Sequence, residues 1–207
     1  MYILDQQDVV AAGGERLLFI HPESRDFLIK VLNTKHAGSR RTVRGFLRGF
    51  SRLPLYGFYI SELVEYVALR EKSAPCMHFL QQTLGVVDTN LGLGLVVAAV
   101  RDRNGGMAMS LEKIIKNGLF SPKHRAALDE LLAWIESTYV ILHDLRPCNV
   151  VWNEIDEHFV VIDGIGSKGR PSLRTFSETY NRRSNRKRVA GLRARVQRQL
   201  VAVASKR

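Results

Sequence analysis

Residues 140–151 read VILHDLRPCNVV and residues 158–166 read HFVVIDGIG, and these two stretches constrain the fold more than any other part of the chain. Val150 to Asn153 and His158 to Ile162 are short apolar strands, and the polar residues Glu154, Ile155, Asp156 and Glu157 between them form a turn signal, so the pair reads as a hairpin. A hairpin returns the chain to its starting point. Asp163, at the exit, must therefore come back beside the proline-containing loop that carries Asp144 and Asn149, five residues apart.

The full chain of 207 residues is 45% hydrophobic, enough for a sizeable core in one domain or two small lobes. The apolar run Leu91 to Val100 is broken by Gly92 and Gly94 and is about half of the ~20 residues that a membrane span needs. The N-terminus has early acidic residues and no basic segment ahead of an apolar core, so no signal peptide is expected, and the expected location is the cytoplasm, with the inner-membrane surface as a peripheral alternative. Cys76 and Cys148 belong to no CxxC pair, which points to reduced thiols rather than a zinc site or a disulfide. The net charge of +11 calls for an anionic partner.

Local patterns place the remaining elements. Gly13-Gly14 is a turn signal, and Asp26 to Leu32 is an apolar strand with Lys30 embedded in it. From Tyr59 to Arg70, the apolar residues Ile60, Leu63, Val64, Val67 and Ala68 recur at helical spacing and predict a buried stripe, flanked by Glu62 and Glu65. Leu93 to Val100 predicts a buried strand. Ser110 is an N-cap for a helix over Leu111 to Asn117, and Ser121-Pro122 opens another that runs to about Ser137 on Leu128, Leu131, Leu132 and Ile135. From Arg186 onward, Val189, Leu192, Val196, Leu200 and Val203 form the apolar stripe of a basic helix.

Phosphoryl transfer asks a protein for in-line geometry, a carboxylate near the attacking hydroxyl, and oxygen ligands that hold magnesium against phosphates. The segment DLRPCN resembles the catalytic loop of protein kinases, and VIDGIG resembles the metal-binding motif that follows it. The resemblance implies Asp144 as the catalytic carboxylate, Asn149 and Asp163 as metal ligands, and ATP and Mg2+ as cofactors. It further implies Lys30 on the nucleotide phosphates, Glu62 as its partner with Glu65 as the alternative, Gly13 and Gly14 in a phosphate-cradling loop, and Val96 to Val100 leading into an adenine-binding hinge. Within kinase-like proteins the chain is most similar to the YrbL family, named for the PhoP regulatory network. That similarity rests on Gly13-Gly14-Glu15-Arg16, Phe19 to Glu23, Asn104-Gly105-Gly106 before Ser110-Leu111, and Asp163 to Ser167.

The implied fold is α+β: a compact two-lobed, protein-kinase-like arrangement. Residues 1–100 would form the nucleotide-binding β-sheet lobe with one helix, and residues 101–207 a shortened, mostly helical lobe. Departures from the protein-kinase pattern limit the functional reading. Leu142 stands where those enzymes carry His, so a scaffold contact is missing or rebuilt; Asp163-Gly164-Ile165 lacks the regulatory aromatic; and about forty residues after Gly166 leave little room for a protein-substrate platform. A phosphotransferase acting on a small molecule, a lipid-linked sugar or a restricted protein is the first expectation. A non-catalytic regulator of the PhoP network that binds nucleotide or a partner is the second, and a basic module on a kinase-like scaffold the third. For the C-terminal helix, packing on the lobe ranks ahead of an anionic membrane or acidic partner, with nucleic acid last; the basic stretch 39–52 is either a solvated insertion or a surface for an acidic partner or a substrate groove.

Overall fold

The first hundred residues are cut into short strands by polar turns, and in the computed structural model these pair into one antiparallel sheet. The structure describes residues 1–5, 8–12, 16–33, 56–72, 74–167 and 173–205. Gly13, Gly14 and the basic stretch 39–52 lie outside the described residues. Strands β1 (Val9–Ala12), β2 (Arg16–His21), β3 (Ser24–Leu32), β4 (Thr83–Thr89) and β5 (Gly92–Ala98) are arranged in the order β1-β2-β3-β5-β4. The Lys30 strand, β3, is central, with Lys30 opposite Leu18 on β2 and Leu95 on β5.

Side chains alternate across a strand, so β3 serves two cores. Ile29 and Val31 point to one, with Phe19 and Val96. Leu28 points to the other, with Leu95, Val97 and Tyr59. Lys30 shares the Leu28 face, and helix α1 (Gly57–Glu71) lies across that face, with the Tyr59 hydroxyl donating to the Lys30 carbonyl at 2.8 Å.

The orientation of α1 corrects the expected apolar stripe. Ile60, Val64 and Val67 are exposed, and the buried positions are Tyr59, Glu62, Glu65 and Leu69. Charge pairing explains the inversion. Each inward carboxylate finds a partner that a rotated helix would strand, and an unpartnered buried charge costs more than three exposed aliphatic side chains.

The second lobe holds α2 (Leu111–Lys116), α3 (Pro122–Ser137), the hairpin β6 (Val150–Asn153) and β7 (His158–Val161), α4 (Leu173–Phe176) and α5 (Glu178–Ala204). Ser110 caps α2 by accepting the Lys113 N–H at 3.3 Å. Leu128, Leu131, Leu132 and Ile135 of α3 enter one core with Leu142, Phe159, Val189, Leu192 and Val196. The C-terminal helix thus packs its apolar stripe on the lobe. No helix of the described residues is long and apolar enough to cross a membrane.

Helix α5 begins at Glu178, ahead of the expected start at Arg186, because its first turns are fixed by amides rather than aliphatics. The Asn181 amide donates to the Tyr139 carbonyl at 2.6 Å and the Val140 carbonyl at 3.2 Å. Asn185 donates to Val140 at 2.9 Å and Ile135 at 3.1 Å. These carbonyls belong to the end of α3 and the irregular segment ahead of Asp144, where helical partners run out. Both asparagine oxygens also accept from Arg174, at 2.8 and 2.7 Å. Removing one such buried amide strands several polar groups, so Asn185→Ala is expected to lower the unfolding free energy in urea by about 2–3 kcal/mol. A loss below about 0.5 kcal/mol would mean that water takes over these bonds.

Candidate active site

The site is organised by a carboxylate almost out of contact with solvent. Glu62 is 1% exposed, and its two oxygens serve two cations: Oε1 accepts from Arg16 Nη1 at 2.6 Å, and Oε2 lies 3.3 Å from Lys30 Nζ. Lys30 also donates to the Ile162 carbonyl at 2.7 Å, which ties the central strand to the residue before Asp163. The same Arg16 nitrogen reaches Asp163 Oδ1 at 3.1 Å. Between the two helix carboxylates, Glu62 is the one that meets Lys30.

Arg16 entered the sequence reading only as the last residue of the Gly13-Gly14-Glu15-Arg16 motif, with no role in the site. Only the sheet places it across from α1. Burial opposes the charge on Arg16, but Glu62 and Asp163 outweigh burial and hold the guanidinium ionised. Burial likewise pushes the Asp163 carboxyl upward, yet Arg16 first, then Lys30 and the Gly164 N–H, bring it below the usual carboxylate range.

The loop side is built from backbone. Leu142 bridges Ile165, the His143 N–H donates to the Gly164 carbonyl at 2.7 Å, and the Gly166 N–H donates to Ile141 at 2.7 Å, so the segment after Asp163 is stitched to the segment before Asp144. Gly164 has φ +78°, and a Cβ there would sit 2.4 Å from the Asp144 carbonyl oxygen; only glycine lets the two segments approach this closely. Gly166, at φ +79°, is pressed in the same way against the Ser61 carbonyl of α1. Asp144 is one-third exposed and pairs with Arg146 Nη2 at 2.5 Å.

Leu142, in place of the histidine of protein kinases, is wholly buried, and the scaffold contact is rebuilt from the C-terminal helices. Arg174 donates to the Leu142 carbonyl at 2.6 Å, Arg188 to His143 at 3.0 Å and Arg195 to Leu145 at 3.0 Å. Three guanidinium groups thus hold three successive stations of the loop. Burial and the neighbouring Arg188 bring Arg174 down to about 10, and burial lowers Arg188.

Asn149 and Asp163 suit a magnesium ion on chemical grounds. The Asn149 amide nitrogen is committed to the Asp144 carbonyl at 3.0 Å, which leaves its Oδ1, within 3.5 Å of the Cys148 thiol, as the atom that would face a metal. Both contacts on Asp163, from Arg16 and from the Gly164 N–H at 2.7 Å, fall on Oδ1. Two protein oxygens are a common share for Mg2+, which keeps waters and takes phosphate oxygens for the rest. Among the described residues no group of three or more His, Cys, Asp or Glu comes together to hold a metal.

A central-strand lysine paired to a helix glutamate, facing an Asp–Asn loop sewn to a following Asp-Gly, makes the protein kinase-like in fold. More narrowly, the chain belongs to the family described as PhoP regulatory network protein YrbL, whose model matches residues 2–197. It is similar to YrbL of Escherichia coli (strain K12) and YrbL of Shigella flexneri, each 23% identical over 184 residues that cover 86% of this chain and 80% of theirs. Among solved structures it is similar to a co-crystal of WbdD and a kinase inhibitor, with TM-score 0.48 and 16% identity over 78% of this chain. The chain spans 33% of that WbdD chain.

Glu65, one turn beyond Glu62, accepts the Ile141 N–H at 2.7 Å and so joins α1 to the segment leading to Asp144. Burial pushes its carboxyl up to about 7, against the opposing pull of that hydrogen bond, Arg174 and Lys72. A carboxyl whose folded value lies above its unfolded one stabilises the fold fully below about pH 4.5, and that contribution is lost as pH rises through about 7. Relative to Glu65→Gln, the wild type is therefore expected to lose up to about 3 kcal/mol between those limits, read by urea unfolding at several pH values. Parallel curves for the two proteins would show that Glu65 titrates normally.

Proposed function

We propose that the protein binds ATP with Mg2+ and transfers the terminal phosphoryl group to an acceptor that is a small molecule, a lipid-linked sugar or a narrowly recognised protein. The observation that carries this reading is the single cluster of Lys30, Glu62, Arg16 and Asp163. It gathers, on one side of the loop bearing Asp144 and Asn149, the charges that phosphates and a metal require. Lys30 would meet the phosphates, Asn149 and Asp163 the metal, and Asp144 the acceptor hydroxyl.

The Arg146–Asp144 contact favours a second reading, in which nucleotide is bound and nothing is transferred. That guanidinium lies against Asp144 Oδ2, one of the two oxygens an acceptor hydroxyl could reach, and must be drawn onto the transferring phosphate to free it. As a third role, Arg182, Arg183, Arg186, Lys187, Arg193 and Arg198 stay exposed on α5 and leave a face for an anionic partner.

Calorimetry with and without magnesium separates these readings. ATP is expected to bind with a magnesium dependence that Asp163→Ala removes, and Asp144→Asn is expected to leave affinity unchanged while slowing ATP consumption at least about 100-fold. ATP binding with no consumption by the wild type supports binding without transfer, unaltered consumption in Asp144→Asn removes Asp144 from the reaction, and no ATP binding under any condition overturns the nucleotide reading.

A further inference from the structure

Arg16 has two unequal attachments. Its contact with Glu62 is short, at 2.6 Å, and its guanidinium carbon lies 5.8 Å from the ring centres of both Phe58 and Tyr59. Its contact with Asp163 is long, at 3.1 Å, and falls on the more exposed partner, whose side chain is 42% accessible against 1% for Glu62. The first anchors the residue to α1; the second can be released without disturbing the anchor.

A metal ion on an Asp163 oxygen would sit about 2.1 Å from it, bringing a divalent charge within a few ångströms of the guanidinium. Two cations so placed repel unless anionic oxygens come between them. Nucleotide phosphates are such oxygens, and Lys30 already stands beside Arg16 on the other oxygen of Glu62.

We propose that Arg16 is the resident counter-cation of Asp163: it occupies the carboxylate in the metal-free protein and passes to the nucleotide's phosphates when metal and nucleotide arrive together. This rests on the nucleotide-and-metal reading above and adds to it a phosphate-binding residue and an order of binding. Metal alone is resisted, because Asp163 already has a cation. Nucleotide without metal is tolerated, because Lys30 and Arg16 both face it.

The test is Mn2+ binding by electron paramagnetic resonance without nucleotide, together with calorimetry of ATP without metal, on the full chain as wild type, Arg16→Gln and Arg16→Lys. An arginine beside a carboxylate disfavours its binding of another cation by about one to three powers of ten. Arg16→Gln is therefore expected to bind Mn2+ alone at least about tenfold more tightly than wild type. It is expected to bind metal-free ATP about tenfold more weakly, through loss of a charged hydrogen bond. Arg16→Lys keeps the charge and should stay near wild type on both. A purely structural role for Arg16 would not tighten metal binding.

Should Arg16→Gln fail to fold, Asp163→Asn provides the second measurement: it frees Arg16 while leaving the Glu62 contact, and metal-free ATP affinity should rise about tenfold. Wild type that binds ATP, with Arg16→Gln no tighter for Mn2+ or Asp163→Asn no tighter for metal-free ATP, overturns the Arg16 assignment alone. Absence of both ATP and Mn2+ binding in every protein overturns the nucleotide reading and this inference with it.

Discussion

The buried Glu62 carboxylate is the contact on which the arrangement of the site depends. Moving a carboxylate out of water costs several kcal/mol, and Glu62 recovers this only because Lys30 and Arg16 each take one of its oxygens. Removing any one of the three leaves an uncompensated charge in a poorly hydrated place. That requirement fixes the rotation of α1, and the rotation fixes which other residues face inward. Ser61 donates to the Ser167 carbonyl at 2.5 Å, and its own carbonyl abuts Gly166, so the helix that completes the sheet lobe also bounds the segment following Asp163.

On the far side of that segment the loop is held by its carbonyls. Protein kinases support this strand with a histidine side chain from within the loop; here the support comes from outside it, through Arg174, Arg188 and Arg195, with Asn181 and Asn185 bracing the strand behind. Charged donors to backbone oxygens make stronger bonds than neutral ones, and each guanidinium has donors to spare. Part of the basic character of the C-terminus is thereby explained as architecture. Apolar residues of α5 supply the packing and the cations on an adjacent face supply the geometry.

Legibility in the sequence followed locality. The strand of Lys30, the capped helices after Ser110 and Ser121, and the hairpin leading to Asp163 are set by short-range pattern, and the structure has them within a few residues of their expected bounds. The rotation of α1 was misread because amphipathic spacing assumes that apolar side chains go inward, and here the core side of the helix is chosen by two buried carboxylates, Glu62 paired to two cations and Glu65 bonded to the Ile141 N–H. The partners of Arg16, and the roles of Asn181 and Asn185, were invisible for a related reason. A polar residue whose partner lies far away in sequence has the same local signature as one facing water. Of the site, the motif-bearing loop could be read; the residues that hold it in place could not.

Glu62 and Glu65 are three apart and therefore share a face of α1, but they answer to different lobes. One holds the lysine and arginine of the sheet; the other holds the Ile141 N–H, three residues ahead of Asp144. A rigid helix cannot turn one without turning the other. Any displacement of α1 that loosens Glu62 from Lys30 and Arg16 must also draw Glu65 from the Ile141 N–H and lift Ser61 from Gly166. The Lys30–Glu62–Arg16 cluster and the Asp144 loop are in this way mechanically one unit, with no aromatic needed after Asp163 to connect them.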